Sequence, residues 1–259
     1  MHVAIRVAVL LVLSLLAGGQ ARAEIALGFA NLLSGPFAAT GARNLLAAML
    51  AVDHINAEGG VIGQDVRLVV ADDGCGFEAA VDAAETLVRA EVAATIGHFC
   101  SHSSLLAAAV YDVADIVMIT PDSTHPRLTE EGRHNVFRLI GRDDRQGAIG
   151  AERIVATWPG RRIAVLDDGS TYGAGLAGAV RRGLERRDAN LALAARYVPD
   201  RAAYPDLVQR LAAADVDVLY VAGYGPDAGR IIADARARGL TPELVGGDGL
   251  GMHEFWTVA

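Results

Sequence analysis

The 259-residue chain carries 31 acidic against 23 basic residues, a formal charge of −8, and so offers no favourable field to nucleic acid or to an anionic lipid surface. Its hydrophobic fraction of 52% is inflated by alanine and by an apolar opening segment, and no later stretch is long enough to cross a bilayer. Without that segment the chain still has length for two modest domains with sizeable cores.

The opening segment reads as an export signal. Arg6 precedes the apolar run at residues 7–16, which is too short for a membrane anchor, and Ala21-Arg22-Ala23 is a small-x-small cleavage site. Residues 1–23 are expected to be removed, and losing Arg6 and Arg22 with them takes the charge from −8 to −10. No cysteine stands at the cleavage point to carry a lipid. The mature protein is expected in an oxidising compartment, most simply a bacterial periplasm.

Beyond the signal, short Val/Ile/Leu-rich runs alternate with longer segments of helical period. Strands are predicted at residues 25–30, 66–71, 93–97 and 116–120, with helices at 44–57, 79–89 and 103–113 between them. Gly59-Gly60 closes the first helix. A charged stretch at residues 141–147 breaks the apolar rhythm and reads as a seam. After it come helices at 147–157, 173–187, 205–213 and 227–238, alternating with strands at 162–167, 193–198, 216–222 and 243–246. Strand, helix, strand, repeated, means mostly parallel sheet covered on both faces. The predicted class is α/β, with two Rossmann-like βαβ lobes, residues 24–141 and 142–259, on either side of a ligand cleft.

The chemistry gathers just past the predicted strands. Cys75 and Cys100 both lie there, and an exported chain with only two cysteines is expected to join them. The bridge would tie two neighbouring strand ends at the rim where an open α/β sheet keeps its ligand. The segments from Phe99 to Ser104 and from Pro121 to Thr124 put hydroxyls where helices or turns begin, beside unpaired backbone N–H groups, a combination that suits a carboxylate. Plain capping is the other use of Ser101, Ser103, Ser123 and Thr124. Asp248, between two glycines, reads either as the partner of a substrate ammonium or as a turn residue.

An enzyme reading rests on Gly223, Gly225 and Gly229, which open a predicted helix, with Asp248 about twenty residues on, an imitation of a dinucleotide fingerprint. The glycine spacing is one residue too long, Pro226 removes an N–H, and Tyr224 fills the approach. Neither cofactor nor metal is expected, since no two histidines have ligand spacing. Cys100 is no nucleophile if Cys75 takes its sulfur.

Leu33-Ser34-Gly35-Pro36, Gly41, residues 51–63 and 68–73, Gly97-His98-Phe99-Cys100-Ser101, Ile119-Thr120-Pro121, Asp144-Arg145-Gln146-Gly147, Tyr172-Gly173 and Gly223-Tyr224 follow one another in order. Together they resemble the leucine/isoleucine/valine-binding family of periplasmic substrate-binding proteins. The resemblance implies a type I periplasmic binding fold and a monomeric, non-enzymatic receptor. Such a receptor binds an amino acid or close analogue between its lobes and delivers it to the permease subunits of an ABC transporter. The same fold also serves sensors of amides and small carboxylic acids. Carried over, the pattern puts Cys75 and Cys100 at the family's disulfide positions and Ser101 on the serine that binds the ligand carboxylate. Thr124 falls on a threonine that contacts carboxylate and ammonium, Tyr172 and Tyr224 on aromatic residues that close over the ligand, and Asp248 where a glutamate often pairs with the ammonium. Asp122 and Ser123 belong to the adjoining ligand-binding stretch, and Thr40 and Phe99 to the pocket wall. Asp122 stands where the family residue is usually small, and Thr40 where a large aromatic wall is common, which implies a roomier or more polar pocket. Family members continue beyond residue 259, so the second lobe is expected to be incomplete, without its return segment to the first.

Overall fold

The computed structural model describes residues 24–258; the predicted export signal lies outside them. Among the described residues, nine strands form two sheets, each parallel throughout. The first contains β1 (Ile25–Asn31), β2 (Val66–Asp72), β3 (Ala94–Gly97), β4 (Val117–Thr120) and β5 (Val136–Arg138), in the order β2-β1-β3-β4-β5. Its connections run through α1 (Ala38–Ala57), α2 (Phe77–Arg89), α3 (Ser101–Val113) and the single turn α4 (Arg127–Glu130). The second contains β6 (Ile163–Asp167), β7 (Leu191–Arg196), β8 (Val218–Ala222) and β9 (Glu243–Gly246), in the order β7-β6-β8-β9. With it go α5 (Asp143–Thr157), α6 (Thr171–Glu185), α7 (Pro205–Ala213) and α8 (Gly225–Ala237). A 3-10 turn (Asp248–Gly251) and α9 (His253–Trp256) follow.

The apolar runs become the strands they predict because helices cover both faces. Every residue of β6 and β8 is buried, as a central parallel strand requires. Helix α2 buries Ala80, Ala83, Ala84 and Leu87, a stripe at helical spacing that faces its sheet. Helices α5 and α6 approach so closely that a Cβ on Gly147 would stand 2.6 Å from Ala179 Cβ, and one on Gly183 the same distance from Ala151 Cβ.

Where sequence and structure differ, the cause is local. Helix α1 begins at Ala38, six residues ahead of the expected start, because Gly41 is not a break. It lies on the Leu32 carbonyl, which any Cβ would strike. The charged stretch at residues 141–147 is no interruption either. Asp143 and Asp144 form the first turn of α5, where carboxylates suit the helix dipole. Arg142, at its N-cap, donates to Asp144 at 2.8 Å and to Glu130. The chain therefore passes from one sheet to the other at residues 139–142. Strand β7 starts two residues early, with a register shift beside Ile163. β5, α4 and α9 are too short to carry a periodic signal.

Candidate functional site

A cleft of about 490 Å³ lies where the carboxyl ends of the two sheets meet. The first sheet contributes Phe99 and Ser101 after β3, and Asp122 and Thr124 after β4. The second contributes Tyr172 from α6, Tyr224 after β8 and Asp248 after β9, and Thr40 of α1 completes the wall.

On the first side, Cys75 and Cys100 are joined, with their Cα atoms 5.6 Å apart, but they follow β2 and β3, which are not the neighbours expected and instead flank β1. The bridge fixes the residue from which α3 starts. Ser104 N–H bonds to the Cys100 carbonyl, leaving the N–H groups ahead of it as the helix's orphan donors. Ser101 is 3% exposed and Thr124 2%. The Thr124 hydroxyl has no partner of good hydrogen-bond geometry. Ser123 is the exception among the predicted site residues. Its hydroxyl turns away from the cleft, donating to the Phe99 carbonyl at 2.8 Å and meeting Ser104 Oγ at 2.5 Å. The His98 carbonyl accepts from Thr120 Oγ1 at 2.8 Å and Ser104 Oγ at 3.1 Å, which ties the β3 and β4 loops together. Beneath them His98 Nδ1 lies 2.5 Å from Asp73 Oδ2 and its Nε2 lies 3.2 Å from the Tyr111 hydroxyl, all three side chains buried.

The second side presents an anion. Tyr172 donates to Asp248 Oδ1 at 2.8 Å and accepts from Gly249 N–H at 3.0 Å. Burial first, and then the Asp248 charge, hold the Tyr172 hydroxyl protonated, far above the usual phenol range. A Cβ on Gly249 would stand 2.6 Å from the Gly223 carbonyl, so only glycine lets this turn close on its neighbour. Tyr224 packs between Tyr172 and Phe37, at ring separations of 5.3 and 4.9 Å, and points its hydroxyl at Cys100 Sγ, 3.7 Å away. It thus spans the two sides.

Asp122 faces the cleft, and burial first, then the Asp248 charge, push its carboxyl up to about 6. Asp143, behind Thr124, is pushed up to about 7, mainly by burial. The neighbouring Thr124 hydroxyl and Arg138 work against that rise, although no well-formed hydrogen bond joins Thr124 to Asp143. Thr40 makes the wall polar by occupation. It donates to Glu254 at 3.2 Å and accepts from Arg43 at 2.7 Å.

The sequence reading missed Arg43, Ile140, Met252, His253 and Trp256, which also line the cleft. Arg43 lay within reach, one turn beyond Thr40; residues 252–256 carried no pattern. Two of the glycines that imitate a dinucleotide fingerprint serve packing instead. A Cβ on Gly223 would run into the Tyr197 hydroxyl, and one on Gly225 would stand 3.0 Å from Phe255 Cβ. Among the described residues, no three His, Cys, Asp or Glu side chains gather as a metal site, and no helix is long and apolar enough to cross a membrane.

Residues 24–256 match the family model described as periplasmic binding protein. An amino acid binding protein of Pseudomonas aeruginosa is 37% identical over 241 residues, 93% of this chain and 64% of that protein. The Leu/Ile/Val-binding protein of Escherichia coli is 36% identical over 227 residues, 88% of this chain and 62% of that protein. This chain therefore spans less than two thirds of the length of either relative. Among solved structures, the branched-chain amino acid transporter substrate binding protein of Streptococcus pneumoniae, in complex with isoleucine, superposes with a TM-score of 0.81 at 28% identity. That match covers 88% of this chain and 65% of the other.

Proposed function

We propose that this chain, which belongs to the periplasmic binding protein family and has its type I fold, is an extracytoplasmic receptor for an α-amino acid or close analogue. It hands its ligand to an ABC transporter permease. The observation that carries the reading is that buried hydroxyl donors, Ser101 and Thr124, face across the cleft the Asp248 carboxylate held by Tyr172. A zwitterion's carboxylate finds donors on one face and its ammonium finds an acid on the other. Leucine, isoleucine and valine share that head group, and the relatives named for them support the assignment.

In this reading residues 1–23 direct export to the periplasm and are removed. Residues 24–141 form one ligand-binding lobe and residues 142–259 belong to the other, and the ligand gains all its contacts only when the two approach. Isothermal calorimetry of the full chain against a panel of amino acids tests it. Micromolar or tighter binding is expected, with Asp248→Ala weakening it at least tenfold, since a charged hydrogen bond contributes about 1.5–3 kcal/mol. Equal affinity in parent and variant would reduce Asp248 to a turn residue.

A further inference from the structure

One carboxylate suffices for an α-ammonium, yet two face this cleft. In the receptor reading, on which this inference rests, Asp248 takes the α-ammonium. Asp122 enters from the opposite side, after β4, and its Oδ2 is buried without a hydrogen-bond partner. The one arginine lining the cleft does not neutralise it, because Arg43 is engaged by Thr40 at 2.7 Å and by Glu254 at 3.5 Å.

The surroundings bring a second buried carboxyl and, among the described residues, no cation free to pair with Asp122. The Thr124 side chain, 2% exposed, lines the same cleft with an unpartnered hydroxyl. Behind it Asp143, 1% exposed, has neither carboxylate oxygen in a well-formed hydrogen bond. A wholly apolar ligand side chain would complete the burial of Asp122 with nothing to offset its charge, which is unfavourable unless the carboxyl takes up a proton. That carboxyl already sits at about 6, raised by burial and by Asp248, so a proton or a cation is what the position lacks. The cleft, at about 490 Å³, has room for a linear side chain.

We propose that the preferred ligand is an α-amino acid whose side chain ends in a cation, an ammonium or a guanidinium, seated on Asp122 while Asp248 takes the α-ammonium and Ser101 and Thr124 the carboxylate. The two acids then divide two positive charges, and the ligand's single negative charge falls to the hydroxyl donors.

The test is calorimetry of the full chain at pH 7.5 with L-lysine, L-ornithine and L-arginine against L-norleucine and L-leucine. Norleucine is lysine without its side-chain ammonium, so the pair isolates that group. Lysine is expected to bind at least tenfold more tightly than norleucine, and Asp122→Asn to lower the lysine-to-norleucine affinity ratio at least tenfold. Norleucine or leucine binding as tightly as every cationic ligand would overturn the inference and leave the receptor reading standing. So would an unchanged ratio in a folded Asp122→Asn variant. If no amino acid of either kind binds, the receptor reading fails and this inference with it. The parent ratio alone decides the matter should the variant not fold.

Discussion

Two tyrosine hydroxyls in the second sheet's half of the molecule offer a matched pair of deletions with opposite expected outcomes. Tyr172→Phe removes the donor to Asp248 Oδ1 and the acceptor of Gly249 N–H, 2.8 and 3.0 Å away. A hydrogen bond to a charged group contributes about 1.5–3 kcal/mol, and a buried N–H left unpaired costs about 1–3 kcal/mol. Because the two share one oxygen they do not add in full, and the expected loss of unfolding free energy is about 2–4 kcal/mol. Tyr220 is fully buried in β8, but its hydroxyl has no partner. Tyr220→Phe deletes a buried polar atom that bonds to nothing, and the expected change is within about 0.5 kcal/mol or a gain. Urea unfolding followed by circular dichroism, with equal m-values as the check on two-state comparison, reads both. Equal losses in the two variants would refute the reasoning, since they would show that the Tyr172 hydroxyl contributes no more than an unpaired one. A Tyr172→Phe protein that lost no stability would do so more directly.

Reducing the Cys75–Cys100 bridge, which closes 25 residues, is expected to lower unfolding free energy by about 3–4 kcal/mol on the chain-entropy account; unreduced protein unfolded in denaturant should titrate no thiol, and two thiols per chain would contradict the pairing. Asp122→Asn should alter the pH profile of stability. A carboxyl raised to about 6 in the folded state favours folding fully below pH 4, and that contribution is lost as pH rises through 6. The variant is therefore expected to be about 2 kcal/mol more stable than the parent at pH 8 and no more stable at pH 4; a difference independent of pH would assign it to packing. Asp143→Asn should behave likewise, with its window shifted toward 7, where Asp248, Arg138 and Asp144 also act on it. Gly41→Ala should lose about 2 kcal/mol or more in thermal unfolding, because its Cβ meets the Leu32 carbonyl, a backbone atom that cannot move aside cheaply; an unchanged midpoint would mean that α1 slides freely.

The alternation of apolar runs and helical periods was enough to read two parallel sheets, because buried parallel strands write themselves as continuous Val/Ile/Leu stretches; β6 and β8 are the clearest cases. It placed the seam at residues 141–147, where the chain does pass between the sheets, but started the next helix at 147, because the four charges at 142–145 serve as N-cap and first turn of α5. Hydropathy alone does not distinguish a charged loop from a charged first turn. The site was legible wherever a residue follows a strand, as Ser101, Asp122, Thr124, Tyr224 and Asp248 do. Arg43, one turn beyond Thr40 on the same helix, was legible but missed, and the site was illegible at residues 252–256, which reach the cleft from a segment too short for periodicity. The inward turn of Ser123 was also hidden, because spacing places a hydroxyl beside a cleft without saying which way it faces. The pairing of His98 with Asp73 joins residues 25 apart and has no local signature.

The knot around the His98 carbonyl bears on how such a pocket changes its ligand over evolutionary time. Thr120 Oγ1 donates to that carbonyl and accepts the backbone N–H groups of Asp122 and Ser123, at 3.2 and 3.0 Å, while Ser123 Oγ fastens the next residue to the Phe99 carbonyl. The main chain at position 122 is thus pinned from both sides by groups that do not involve its side chain. Exchanging that side chain leaves Ser101 and Thr124 where they were, so on the receptor reading proposed above selectivity can drift one codon at a time while the grip on the common head group is inherited intact.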